Sequence, residues 1–126
     1  MGQTMPSTMT KEERMQRIAL DIADLSADAD YYIQVPCLGW FAGLRSAIDA
    51  AVSTADVTIT PSVNGVAVVG GALTIATAAS AAGDVDQQLP EARVRVEPGD
   101  VIKLAVAGGG AGGAPRGHVI VEIERD

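Results

Sequence analysis

Asp56-Val57-Thr58-Ile59-Thr60-Pro61-Ser62-Val63-Asn64-Gly65-Val66-Ala67-Val68-Val69-Gly70-Gly71-Ala72-Leu73-Thr74-Ile75-Ala76-Thr77 is the stretch whose pattern is hardest to read any other way than as β-structure. Val57 to Thr60 alternates apolar and polar residues, the period of a half-buried strand. Pro61 bends or ends that strand. Asn64-Gly65 between apolar residues is a hairpin signal, because both central positions of the tightest hairpin turn need positive φ. Gly70-Gly71 supplies the next turn, and Leu73 to Thr77 returns as another strand. Residues 57–83 carry no charged side chain, a length that raises the question of a membrane span. Pro61, Asn64, the glycine pair and the many Thr and Ser interrupt any continuous apolar run, so strands and turns account for it better.

The same grammar extends outward. Towards the start, Tyr31 to Val35 is strand-like and stops at Pro36. Residues 41–52 suit either a helix through Phe41, Leu44, Ile48 and Val52 or a strand; a strand ending near Ala51 is favoured, with Leu44 and Ile48 on one face and Arg45 and Asp49 on the other. Residues 17–25 begin with apolar positions two apart, Ile18, Leu20 and Ile22, while Met15, Ile18, Ile22 and Leu25 also fit a helix. Thr10-Lys11-Glu12-Glu13 has the form of a capping box, and residues 1–16 read as an N-terminal arm, extended or briefly helical. Towards the end, Ala78 to Pro90 is a small-residue loop. Arg93 and Arg95 alternate with Val94 and Val96, Pro98-Gly99-Asp100 is a tight turn, Val101 to Val106 is a strand, and His118 to Glu124 is the last one. About eight short strands at regular turn spacing, with no crossover helix, predict one all-β domain over 17–126, a small antiparallel β-sandwich or barrel.

Composition narrows the chemistry. The 126 residues include 21 Ala, 14 Gly and only four aromatics, and 23 Val and Ile stand against seven Leu, so the core must be built of small β-branched side chains. The net charge of −7 argues against a grip on nucleic acid. A single Cys37 cannot form an internal disulfide, and the Met/Ser/Thr-rich start lacks an export-signal profile, so cytoplasmic folding is expected. Gly108, Gly110 and Gly113 match the letters of a dinucleotide fingerprint, but Pro115 and a closing strand follow where a helix is required, which leaves a strand connection. Asp24, Ser26, Asp28 and Asp30 alternate like calcium ligands, yet Ala29 and Val35 occupy the positions of the loop's Gly and bidentate Glu, and a solvated acidic turn fits better. His118 and Cys37 are the remaining candidates for a nucleophile and base, with structural roles preferred for both. No cofactor or metal is expected. Trp40 reads as a plug in a small-residue core or as an interface anchor.

Val35-Pro36-Cys37-Leu38-Gly39-Trp40, Leu44 to Val52, Ala55 to Ile59, Asn64 to Val68 and Gly71 to Ile75, with Ala82-Gly83-Asp84-Val85, Pro98 to Ile102 and the Gly-rich loop before the last strand, together resemble the capsid cement, or head decoration, proteins of tailed bacteriophages over residues 31–124. The resemblance implies a small β-sandwich of jelly-roll type that binds the outside of an assembled head as a homotrimer, with the major capsid protein as partner. It implies no catalytic residues, no nucleic-acid or membrane partner, synthesis in the host cytoplasm and a final place on the capsid exterior. Segments outside the strand pattern are then the expected contacts to shell or sister subunits: Met5, Pro6 and Met9 in the arm, and Trp40, Gln87, Gln88, Gly110 and Arg116 in the loops. The alternative is a carbohydrate- or cell-surface-binding β-sandwich of a virion appendage, although four aromatics leave little supply for such sites. A small hydrolase on a β-scaffold would need Cys37 or His118.

Overall fold

The structure, a computed structural model, describes residues 14–78, 80–109 and 115–126. Among these residues the chain forms ten strands: β1 (Met15–Ile22), β2 (Ala29–Gln34), β3 (Gly39–Ile48), β4 (Val57–Val63), β5 (Val66–Ala67), β6 (Leu73–Ile75), β7 (Val85–Gln88), β8 (Val94–Val96), β9 (Val101–Ala107) and β10 (Gly117–Arg125). Both ambiguous segments are strands. β3 ends at Ile48 rather than near Ala51, and β1 takes in Met15 and Gln16 from the stretch read as arm.

Every pairing is antiparallel, and the strands divide into two sheets. Sheet A runs β1, β10, β3, and then β7 and β8, which share the far edge of β3; sheet B runs β2, β9, β4, and then β5 and β6 along β4. The pairings describe a ribbon folded back on itself, β1 with β10, β2 with β9, β3 with β8 and β7, β4 with β6 and β5. Successive pairs fall alternately in the two sheets. That is the jelly-roll plan, with eight strand positions of which two are broken in half.

Both breaks have local causes. β4 continues through Pro61, which is buried, to Val63. Its carbonyl accepts from the Val68 N–H (3.1 Å), on the side where the partner changes from β6 to β5, so the N–H that proline lacks is missing from that gap and not from the ladder to β9. In sheet A, β3 carries a bulge: Glu122 pairs with Gly43 and Ile123 with Phe41, skipping Ala42. Opposite the bulge the chain leaves the sheet after Gln88 and returns at Val94. The loop expected over residues 78–90 therefore contains a strand, β7, whose four residues alternate without an apolar face strong enough to announce it.

The core between the sheets is built of Val, Ile and Leu, with Phe41 as its one fully buried aromatic and Tyr31 packed partly buried against it. One side of the sandwich is closed: the Gln88 amide donates to Gly70 O (2.8 Å) and the Glu91 N–H to Val69 O (3.1 Å). On the other side β1 and β2 are the outermost strands of their sheets. No helix among the described residues is long and apolar enough to cross a membrane.

Candidate functional site

Register places a row of charged and aromatic side chains on the outer face of sheet A. Met15, Glu124, Trp40 and Arg95 are successive cross-strand partners from β1 through β10 and β3 to β8, and Arg17, Glu122 and Gly43 form the row beside them. Glu122 and Glu124 are only 3% and 8% exposed, although they point away from the apolar core. Each is covered by two guanidinium groups: Arg17 (3.1 Å) and Arg45 (3.2 Å) at Glu122, Arg14 (3.2 Å) and Arg93 at Glu124. A carboxylate removed from water is tolerable only with such partners. Burial works against the Glu124 carboxylate, but hydrogen bonds and charge from Arg14 and Arg93 outweigh it and hold its pKa below the ordinary carboxylate value.

Trp40 sits at the end of this network. The Arg93 and Arg95 guanidinium carbons lie 5.3 and 4.9 Å from the centroid of its ring, within cation–π range. Arg95 in turn donates to both carboxylate oxygens of Asp126, one at 2.7 Å. That bond lowers the pKa of Asp126 and raises that of Arg95, and a hydrogen bond from Trp40 assists at Asp126. Two depressions open on this face, one of about 460 Å³ lined by residues including Arg17, Arg45, Gln87 and Arg93, and one of about 230 Å³ lined by Arg14, Trp40, Arg93, Glu124, Arg125 and Asp126.

Of the contact residues expected from sequence, Trp40 and Gln87 come together on this face. Gln87 is exposed and pairs across from Arg45. Trp40 is half-buried against arginines on the outside and is not the core plug; that place belongs to Phe41. Gln88 points the other way, its amide engaged by Gly70 O and Leu89 O. Arg116 is exposed at the opposite end of the sandwich, where its carbonyl accepts from the Asp49 N–H (2.8 Å). Met5, Pro6, Met9 and Gly110 lie outside the described residues, as does the whole of the capping box. Arg14, the first described residue, lies beside Glu124 and Trp40.

The other candidate chemistries do not assemble. His118 opens β10 and pairs with Asp21, whereas Cys37 lies near that strand's far end, where Leu38 O accepts from the Asp126 N–H. At about 3.3 Å per residue the length of β10 keeps them roughly 25 Å apart. The Asp24 carboxylate caps its own turn through Ser26, and Asp28 accepts from the Gly108 N–H (3.3 Å). Among the described residues no three His, Cys, Asp or Glu converge as metal ligands would.

The arginine-carboxylate network was not foreseen. Its signal is present as two alternating pairs, Arg93 and Arg95, Glu122 and Glu124, but their meeting depends on a register that only the folded sheet supplies. Compared with known proteins, the chain matches no family model and no curated protein.

Proposed function

We propose that this chain is a non-enzymatic structural protein that binds the outer surface of an assembled bacteriophage head and stabilises the joints between major capsid protein subunits. The observation that carries the reading is the placement of Trp40, Gln87 and Arg14, the first described residue, on one outer face of sheet A. Trp and Arg are the residue types that most often anchor protein interfaces. Here the arginines are held by ion pairs and Trp40 by its cation–π contacts with them before any partner arrives, which lowers the entropy lost on docking. Assembly as a homotrimer would present three such faces to a repeating lattice, so modest footprints would add as a multivalent clamp. The net charge of −7 fits a place on the capsid exterior, away from packaged DNA.

Co-sedimentation of the purified chain with heads that lack it tests the reading. Saturable occupancy is expected, reduced about tenfold in affinity by Trp40→Ala, and weakened by deleting residues 1–12. Absence of the chain from the pelleted heads would overturn the proposal, and unchanged occupancy of the deletion variant would remove the arm from it.

A further inference from the structure

The outer face of sheet B has a different character. Its rows carry Thr58, Thr60 and Thr74 with Ala105 and Ala107, and the charges along β2 and β9 are limited to Asp30 and Lys103. Across the centre runs one row of cross-strand partners, Tyr32 on β2, Lys103 on β9 and Ser62 on β4. Tyr32 is 64% exposed, an unusual position for an aromatic in a chain that has only four. Ser62 is 8% exposed, and its hydroxyl oxygen is buried without a hydrogen-bond partner. Both line a depression of about 340 Å³ with Asn64, Gly65, Val101 and Lys103.

The wall of this depression is rigid. Asn64 (φ 48°) and Gly65 (φ 85°) form the turn between β4 and β5. Asn64 is tied to β9 twice, its side-chain oxygen accepting from the Val101 N–H and its own N–H donating to Val101 O, both at 2.9 Å. The site is thus held by strand register and a pinned turn.

We infer that this depression is a saccharide-binding site that takes a single sugar ring. A sugar has an apolar C–H face and a rim of hydroxyls, and the site offers counterparts for both: the exposed Tyr32 ring as a platform for the face, and for the rim the Lys103 ammonium as a donor and the unpartnered Ser62 hydroxyl as donor or acceptor. An unsatisfied buried hydroxyl is unfavourable in the free protein, so a ligand that satisfies it gains on binding. The neutral Thr and Ala surroundings offer one cation and no arginine fork, which disfavours phosphate or a polyanion. The volume lies at the lower end of ligand-sized clefts, about 300 to 1,000 Å³. The site lies on the sheet opposite the Trp40 face and stands whether or not the chain binds a phage head.

The test is a two-dimensional NMR titration of the full chain with methyl glycosides of neutral hexoses, N-acetylhexosamines and a uronic acid, with sodium acetate as an anion control. Saturable shifts confined to residues around Tyr32, Ser62 to Gly65 and Val101 to Lys103 are expected with at least one glycoside. Tyr32→Ala should weaken that binding about tenfold or more. Ser62→Ala should weaken it without lowering the melting temperature, an outcome a purely structural serine would not give, and Trp40→Ala should leave it unchanged. The inference is overturned by the absence of saturable shifts across the panel, by binding that survives Tyr32→Ala, or by equal shifts with acetate.

Discussion

Phe41 is the largest of the fully buried side chains, and in a core of Val, Ile and Leu no neighbour is large enough to fill the space of a lost ring. Trp40, next to it in the chain, lies on the other face of β3 under two arginines. Phe41→Ala should therefore cost about 3 to 5 kcal/mol. Trp40→Ala should cost only about 1 to 2 kcal/mol, the worth of two partly exposed cation–π contacts. Urea denaturation of both variants checks the contrast, and equal losses would mean that Trp40 also serves the core. That the two aromatics point apart follows from any strand reading. Which one points inward was not legible, because Phe41 and Leu44 are both buried although three residues apart, and an odd separation on one face requires the bulge at Ala42 and Gly43.

That bulge organises the elements around it. Gly43 takes φ 155°, and a Cβ there would come within 2.9 Å of the Gln88 carbonyl oxygen and 3.1 Å of the Leu89 side chain. Gly43→Ala should destabilise the fold by about 1 to 3 kcal/mol. It should also speed amide hydrogen exchange in β7, while the distant ladder between β2 and β9 keeps its protection relative to the new global stability. Uniform loss across both sheets would show that the bulge matters only for overall stability and not for seating β7. At this scale the sequence was most informative where turn chemistry is strict: Asn64-Gly65 forms the turn anticipated for it, and Val57 to Thr60 is a strand. It was least informative where tertiary pairing decides. β7 has an exposed and half-buried alternation with no fully buried residue, and β4 passes through Pro61 because the missing donor falls in a gap between two partners. The arginine-carboxylate face failed to announce itself for the same reason. Its members come from separate stretches of the chain, Arg14 and Arg17 lying more than a hundred residues from Glu124 and Glu122, and only register brings them together.

For the molecule as a whole, the jelly-roll ribbon makes the last strand a condition for the first. β10 lies between β1 and β3, so sheet A without it is a lone β1 separated from β3 and its short partners. Val119, Val121 and Ile123 are fully buried and would leave the core with it. Removing those three side chains alone forfeits on the order of 4.5 to 9 kcal/mol of apolar burial, at roughly 1.5 to 3 kcal/mol each, which is comparable with the whole stability of a small domain. A chain ending at residue 116 is therefore expected to be unfolded, with no cooperative thermal transition by circular dichroism and collapsed amide dispersion by NMR. Deletion of residues 1–12, which precede β1, should shift the melting temperature by no more than about 2 °C. The pair of truncations separates the two ends by role. If the chain lacking β10 still melts cooperatively, sheet B and the β3 hairpins form a self-sufficient core and the wrapped ribbon is not the unit of folding. If the short N-terminal deletion also unfolds the protein, those residues belong to the sandwich, and their part in attachment cannot be tested by removing them.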